Sequence, residues 1–139
     1  MSKVNNQSIE KKNIDFFSKN EIYQKNIANI DTYKILYNEI TKYLLDTNKL
    51  LDIGHGGSFD YDTNQVKEII GLDLDEMIDL KSLPNNITLE VGSALDIPVS
   101  LKNVETILFV MLLHHLIRQN VNQNFCLYLI NFPYSTCFV

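Results

Sequence analysis

The sequence predicts an α/β domain built on a parallel sheet, preceded by an N-terminal helical segment. Three observations predict it. Four short apolar runs, "KLLDI" (49–53), "EIIGLDL" (68–74), "ITLEV" (87–91) and "VETILFVM" (104–111), alternate with loops and turns. A helix-period stripe comes before them. Each run also gives way to small or polar residues, in "DIGHGG", "GLDLDEM", "GSALDIP" and "MLLHHL". Parallel sheets gather ligand-binding groups at such carboxyl ends.

Residues 1–20 are polar and rich in Asn and Lys, and read as a mobile arm whose one apolar spot is "IDFF" at 14–17. Residues 21–46 form the helical segment. Ile30, Tyr33, Tyr37, Ile40 and Leu44 step by three and four along it, and Asp31 stands where a cap before Thr32 would sit. Residues 47–139 carry the sheet. Its first strand is "KLLDI", followed by a glycine loop. The polar crossover "SFDYDTNQVK" leaves room for little more than a turn of helix at 63–67. "DEMIDL" after the second strand has the length of one or two helical turns. Pro84 with two asparagines makes a turn, and β-branched, alternating residues mark the third strand. Pro98 closes the loop after it, and the fourth run is apolar enough to be central.

Composition excludes several classes. The chain has 139 residues, enough for one domain, with a formal net charge of −5. Arg118 is its single arginine. A basic nucleic-acid face and an arginine clamp for a polyanion are therefore both excluded, and a cationic ligand suits the charge better. Cys126 and Cys137 lack metal-ligand spacing, which gives a reduced, cytoplasmic expectation. The N-terminus has no apolar signal-peptide core, and the longest apolar run, 107–113, is too short for a membrane span.

In the first loop, Gly54, Gly56 and Gly57 remove side chains where the backbone turns, so that it approaches a ligand or merely reverses. Gly54 and Gly56 fit the start of a dinucleotide fingerprint, but Phe59 occupies its last glycine position. The phosphate-cradling G-x-x-x-x-G-K-[ST] pattern is absent. Asp73 follows Gly54 by 19 residues, a spacing at which a carboxylate accepts both hydroxyls of a ribose. Its other reading is a helix cap. Asp96 in "GSALDIP" is either an acceptor for an exocyclic amine or a turn aspartate.

Together, "LLDIGHGG", "IIGLDLDEMI", "GSALDIP" and "VMLLHHL" resemble, in order and near-family spacing, the motifs of class I S-adenosylmethionine-dependent methyltransferases. The likeness covers about residues 50–116. It implies a Rossmann-like sheet of the methyltransferase type and S-adenosyl-L-methionine as cofactor. By that resemblance Gly54 and Gly56 lie against the methionine part, and Asp52 helps bind its amino group, usually through the loop or water. Asp73 takes the ribose hydroxyls, Met77 covers the adenine face, Asp96 takes the adenine amine, and Met111 and Leu112 line the floor by the sulfonium. The family's third glycine is Ser58 here.

His114 and His115 stand where a base for a protonated methyl acceptor could act, or else pack and face solvent at a helix start; the spacing of His55, His114 and His115 supports no metal site. The family's sheet has seven strands, and this sequence supplies four clear ones, so the resemblance implies a domain incomplete at its C-terminus. "FCLYLINF" (125–132) reads as a strand or a helical turn. The expected activity is methyl transfer to a small molecule, with the cofactor half recognisable. The alternatives are a non-catalytic or partner-dependent cofactor-binding fragment and, with less support, a nucleotide-binding oxidoreductase domain. An uncovered edge at the fourth strand predicts self-association and little turnover by the chain alone.

Overall fold

The structure, a computed structural model, describes residues 11–12, 14–15, 30–75, 83–101, 103–110, 112 and 136–138. One helix, α1 (Asp31–Tyr43), precedes the strands β1 (Lys49–Ile53), β2 (Glu68–Asp73), β3 (Ile87–Val91), β4 (Thr106–Leu108) and β5 (Thr136–Phe138). All neighbouring pairs are parallel, and the order across the sheet is β3-β2-β1-β4-β5. The chain is thus of α/β class with a doubly wound strand order. Its direction reverses between β1 and β4, the place where such sheets open a crevice for ligands.

The first three strands form where the apolar runs stand. The fourth is shorter than its run: pairing covers Thr106–Leu108, and Phe109 continues buried beyond it. The edge expected to lie open beside β4 is paired. β5 runs parallel along it, with Ile107 opposite Cys137. The covering segment is "TCF"; "FCLYLINF", read as a strand or a helical turn, lies outside the described residues.

Alternation along the strands sends side chains to two cores. Leu51, Ile53, Ile70, Leu72 and Ile107 enter one face, closed by Ile97, Leu101 and Val104 from the β3–β4 connection. Leu50, Ile69, Ile87 and Leu108 enter the other, closed by Ile40 and Leu44 of the helical segment and by Tyr61 and Val66 of the β1–β2 connection. Burial on both faces explains why β1 and β2 are near-continuously apolar.

The helical stripe is buried by degrees. Ile30 is 46% exposed, Tyr33 and Tyr37 are half-buried, and Ile40 and Leu44 are inside. Asp31 does not cap α1. The extended residue before the helix is Ile30, and Asp31 is the first helical residue, its carboxylate 3.5 Å from the Lys34 ammonium. It therefore complements the helix dipole as a first-turn anion. The part of the helical expectation at 21–29 lies outside the described residues, as does the helical turn expected at 76–80.

At the amino edge of the sheet, Glu105 accepts from the Asn48 backbone N–H at 2.6 Å and from its side-chain amide, joining the starts of β1 and β4. The hydroxyls of Thr47 and Thr106 meet at 2.9 Å inside. The opposite, carboxyl edge is left to the loops.

Candidate functional site

The glycine loop leaves β1 at Gly54, whose N–H donates to the Leu72 carbonyl of β2 at 2.8 Å. Gly54, Gly56 and Gly57 have φ of 74°, 60° and 88°. Three left-handed residues within four positions are strained for most side-chain-bearing residues, which is the physical reason for glycine there. Space divides their roles. A Cβ on Gly54 would stand 2.7 Å from Leu112 Cδ1, so that glycine admits the chain after β4. A Cβ on Gly56 would meet nothing within 4 Å among the described residues, so that the space on its Cβ side is open with respect to them.

Asp73 ends β2 beside this loop. Its Oδ2 accepts the Gly56 N–H at 2.8 Å and its Oδ1 the Leu74 N–H at 2.7 Å. A carboxylate oxygen has two acceptor positions, so each keeps one beyond these bonds. Asp73 is half-buried, and its own carbonyl accepts from Gly92 N at 2.8 Å. That bond starts the third loop next to it. There the Ser93 hydroxyl accepts from Leu95 N and the Ser93 carbonyl from Asp96 N, a turn that leaves the Asp96 side chain exposed. The structure thus brings Gly54, Gly56, Asp73 and the Asp96 turn to one edge of the sheet.

Asp52 is placed differently. Its side chain enters the core on the α1 face, where it is 4% exposed and accepts a hydrogen bond from the Tyr61 hydroxyl at 2.9 Å. Burial, assisted by the charges of Asp73 and Asp60, pushes its carboxyl up to about 7 against the opposing Tyr61 bond. Burial likewise raises the Tyr61 phenol, as does Asp52. Tyr37 of α1 is raised for the same first reason, with Asp60 and Asp52 adding to it.

The sequence reading missed the packing of the loop's own aromatic residues. His55 and Phe59 stack at 4.9 Å, and Phe59 meets Tyr61 edge-on at 6.3 Å. The pair lies over Gly71 of β2, where a Cβ would stand 2.7 Å from Phe59 Cζ and 2.9 Å from His55 Cδ2. Bulk and space have changed places relative to the dinucleotide fingerprint. The loop carries the ring, and the strand beneath carries the glycine. The signal was present as a glycine inside an otherwise apolar strand. His55 Nδ1 accepts the Gly57 N–H at 3.0 Å, which fixes the neutral ring with its proton on Nε2. Burial lowers the His55 pKa, opposed by the Asp73 charge.

The β1–β2 crossover contains only a 3₁₀ turn over Thr63–Gln65, capped by Asp62 through Asn64 N at 3.1 Å. No helix N-terminus faces the glycine loop from it. Beside the loop, on the α1 face, a small cavity of about 210 Å³ lies among Gly57, Phe59, Leu83, Pro84 and Ile87. Met77, Met111, His114 and His115 lie outside the described residues. Among the described residues no cluster of His, Cys, Asp or Glu could hold a metal ion, and no helix is long and apolar enough to cross a membrane. No protein-family model, curated protein or solved structure matches the chain.

Proposed function

We propose that the chain binds S-adenosyl-L-methionine at the carboxyl edge of its sheet, as the cofactor-binding part of a methyltransferase acting on a small molecule. The observation that carries the reading is the Asp73 carboxylate at the carboxyl end of β2, bonded to Gly56 N of the loop that follows the neighbouring β1. It stands beside backbone that has no side chain and, at Gly56, an open face. The two remaining acceptor positions of Asp73 match the two donors of a ribose cis-diol.

Charge favours this ligand over a dinucleotide. The segments 54–62 and 92–98 contain Asp60, Asp62 and Asp96 and no Lys or Arg. A pyrophosphate would also lack the helix N-terminus that such loops ordinarily supply. A sulfonium with an ammonium group needs neither. Asp73 would hold the ribose, Gly54 and Gly56 would admit the methionine part, and Asp96 would accept the adenine amine. When bound, the cofactor supplies an electrophilic methyl group. The chain's own contribution is to orient it, since methyl transfer needs the acceptor lone pair in line. Asp52, turned into the core toward Tyr61, is not a direct ligand of the amino group in this arrangement.

Melting temperature measured with S-adenosylmethionine and, separately, with NAD distinguishes the readings, because only a ligand of the native state stabilises. A rise with the first and none with the second is expected. A rise with NAD alone would favour a nucleotide-binding oxidoreductase domain.

A further inference from the structure

The glycine loop is closed at its base. It leaves the sheet after Ile53 and returns to the core at Tyr61, whose hydroxyl reaches back to Asp52, and both side chains are buried, at 4% and 5% exposure. Between these ends the loop is held at Gly56 by Asp73 and at Gly57 by His55. Phe59 touches Tyr61 edge-on, so the ring that covers Gly71 is braced by the residue that closes the base. The Gly56 and Gly57 amides are thus held by Asp73 and His55 on a loop whose base the Tyr61–Asp52 bond closes.

We propose that Tyr61 and Asp52 are positioning residues, a buried latch that fixes the glycine loop in its ligand-ready form and transmits the protonation state of Asp52 to the Gly56 and Gly57 amides. The latch concerns the site proposed above, but it rests on protein contacts alone.

The groups facing Asp52 define the response. Tyr61 and Asp60 face it from the loop, Tyr37 from α1 and Asp73 from β2. Leu108 is its register partner on β4 and Gly71 its partner on β2. Among the described residues no cation is in this set, so there an ionised Asp52 is opposed by Asp73 and Asp60 and held by Tyr61. Deprotonation therefore loads the loop with repulsion between Asp52 and Asp73, and Asp73 is the group that holds Gly56.

The test is amide NMR of the full chain between pH 5 and 9, without ligand, on wild type, Asp52→Asn and Tyr61→Phe. Wild-type Gly56 and Gly57 shifts are expected to show an inflection near pH 7 that vanishes in Asp52→Asn, which keeps an acceptor for Tyr61 and removes the charge. Tyr61→Phe is expected to move the inflection to higher pH and to speed exchange at both amides by about tenfold relative to core amides of β1 and β2, an effect of local opening. If Tyr61→Phe does not fold, Asp52→Asn alone decides. Glycine-loop shifts that titrate identically in Asp52→Asn and wild type would overturn the latch. A parallel S-adenosylmethionine titration separates the two claims: an intact inflection without binding sinks the ligand and leaves the latch standing.

Discussion

Asp52 and Asp73 sit on adjacent strands, and their side chains leave the same face of the sheet. Asp52 pairs in register with Gly71, and Asp73 lies two residues further along β2. Their surroundings differ. Asp73 accepts from two backbone N–H groups at the edge, whereas Asp52 meets one phenol in the core. Burial makes the proton-bearing form of Asp52 the better one in the folded chain, with its carboxyl raised from 3.8 to about 7. A raised folded value gives stability that is complete below pH 3.8 and is lost as pH climbs to about 7. At about 1.4 kcal/mol per pKa unit the loss is on the order of 4 kcal/mol. Denaturant titrations of wild type are therefore expected to weaken between pH 4 and 7 more steeply than those of Asp52→Asn, which does not titrate. Parallel curves for the two proteins would contradict the assignment of Asp52 as a buried, protonated acid.

At the scale of elements, the glycine loop and β2 are fitted to each other. Gly71→Ala adds a Cβ less than 3.0 Å from both Phe59 and His55, and both rings are held by stacking and by the Gly57 amide. Overpacking of this kind costs about 1–3 kcal/mol, to be read by chemical denaturation. An unchanged midpoint would mean that the rings move aside freely. Gly56 separates conformation from space. At φ 60° Val is strained, while Asn tolerates the left-handed region. Both variants are expected to fold, since the Cβ enters open space, and both to lose S-adenosylmethionine binding because that space is the ligand's. Binding by Gly56→Asn would show that the loop is only a turn.

These elements also mark what the sequence made legible. β1, β2 and β3 stand where short apolar runs met turn residues, because a strand buried on both faces must be apolar throughout. The spacing of Asp73 after Gly54 marked both as residues of the sheet's carboxyl end, but the bond from Gly56 N–H to Asp73 was not legible from it. The Tyr61 bond to Asp52 and the rings over Gly71 were not legible either, since they join residues whose neighbourhood is set by the path of an irregular loop. β5 was illegible for another reason: three residues carry no period, and their pairing with β4 is a tertiary choice.

At the scale of the molecule, β5 closes one side of a sheet whose other outer strand, β3, exposes the polar Thr88 and Glu90 on either side of the half-buried Leu89. Polar residues on an edge strand discourage pairing with other chains. Removing residues 136–139 would bare the buried Thr106–Leu108 strand. Sedimentation is expected to show larger species for the shortened chain than for the full one, and equal masses would mean that β5 protects nothing. The same sheet brings the Asp73 carboxylate to the crevice beside the glycine loop, and the central claim is that this carboxylate holds the ribose of S-adenosylmethionine. Calorimetric titration of wild type and Asp73→Ala with that ligand tests it most directly. Loss of a charge-assisted bidentate contact predicts a fall of about 1.5–3 kcal/mol, or roughly one to two decades in affinity, in a variant that still melts cooperatively. Equal affinity in the folded variant, or no heat of binding from wild type, would contradict the account.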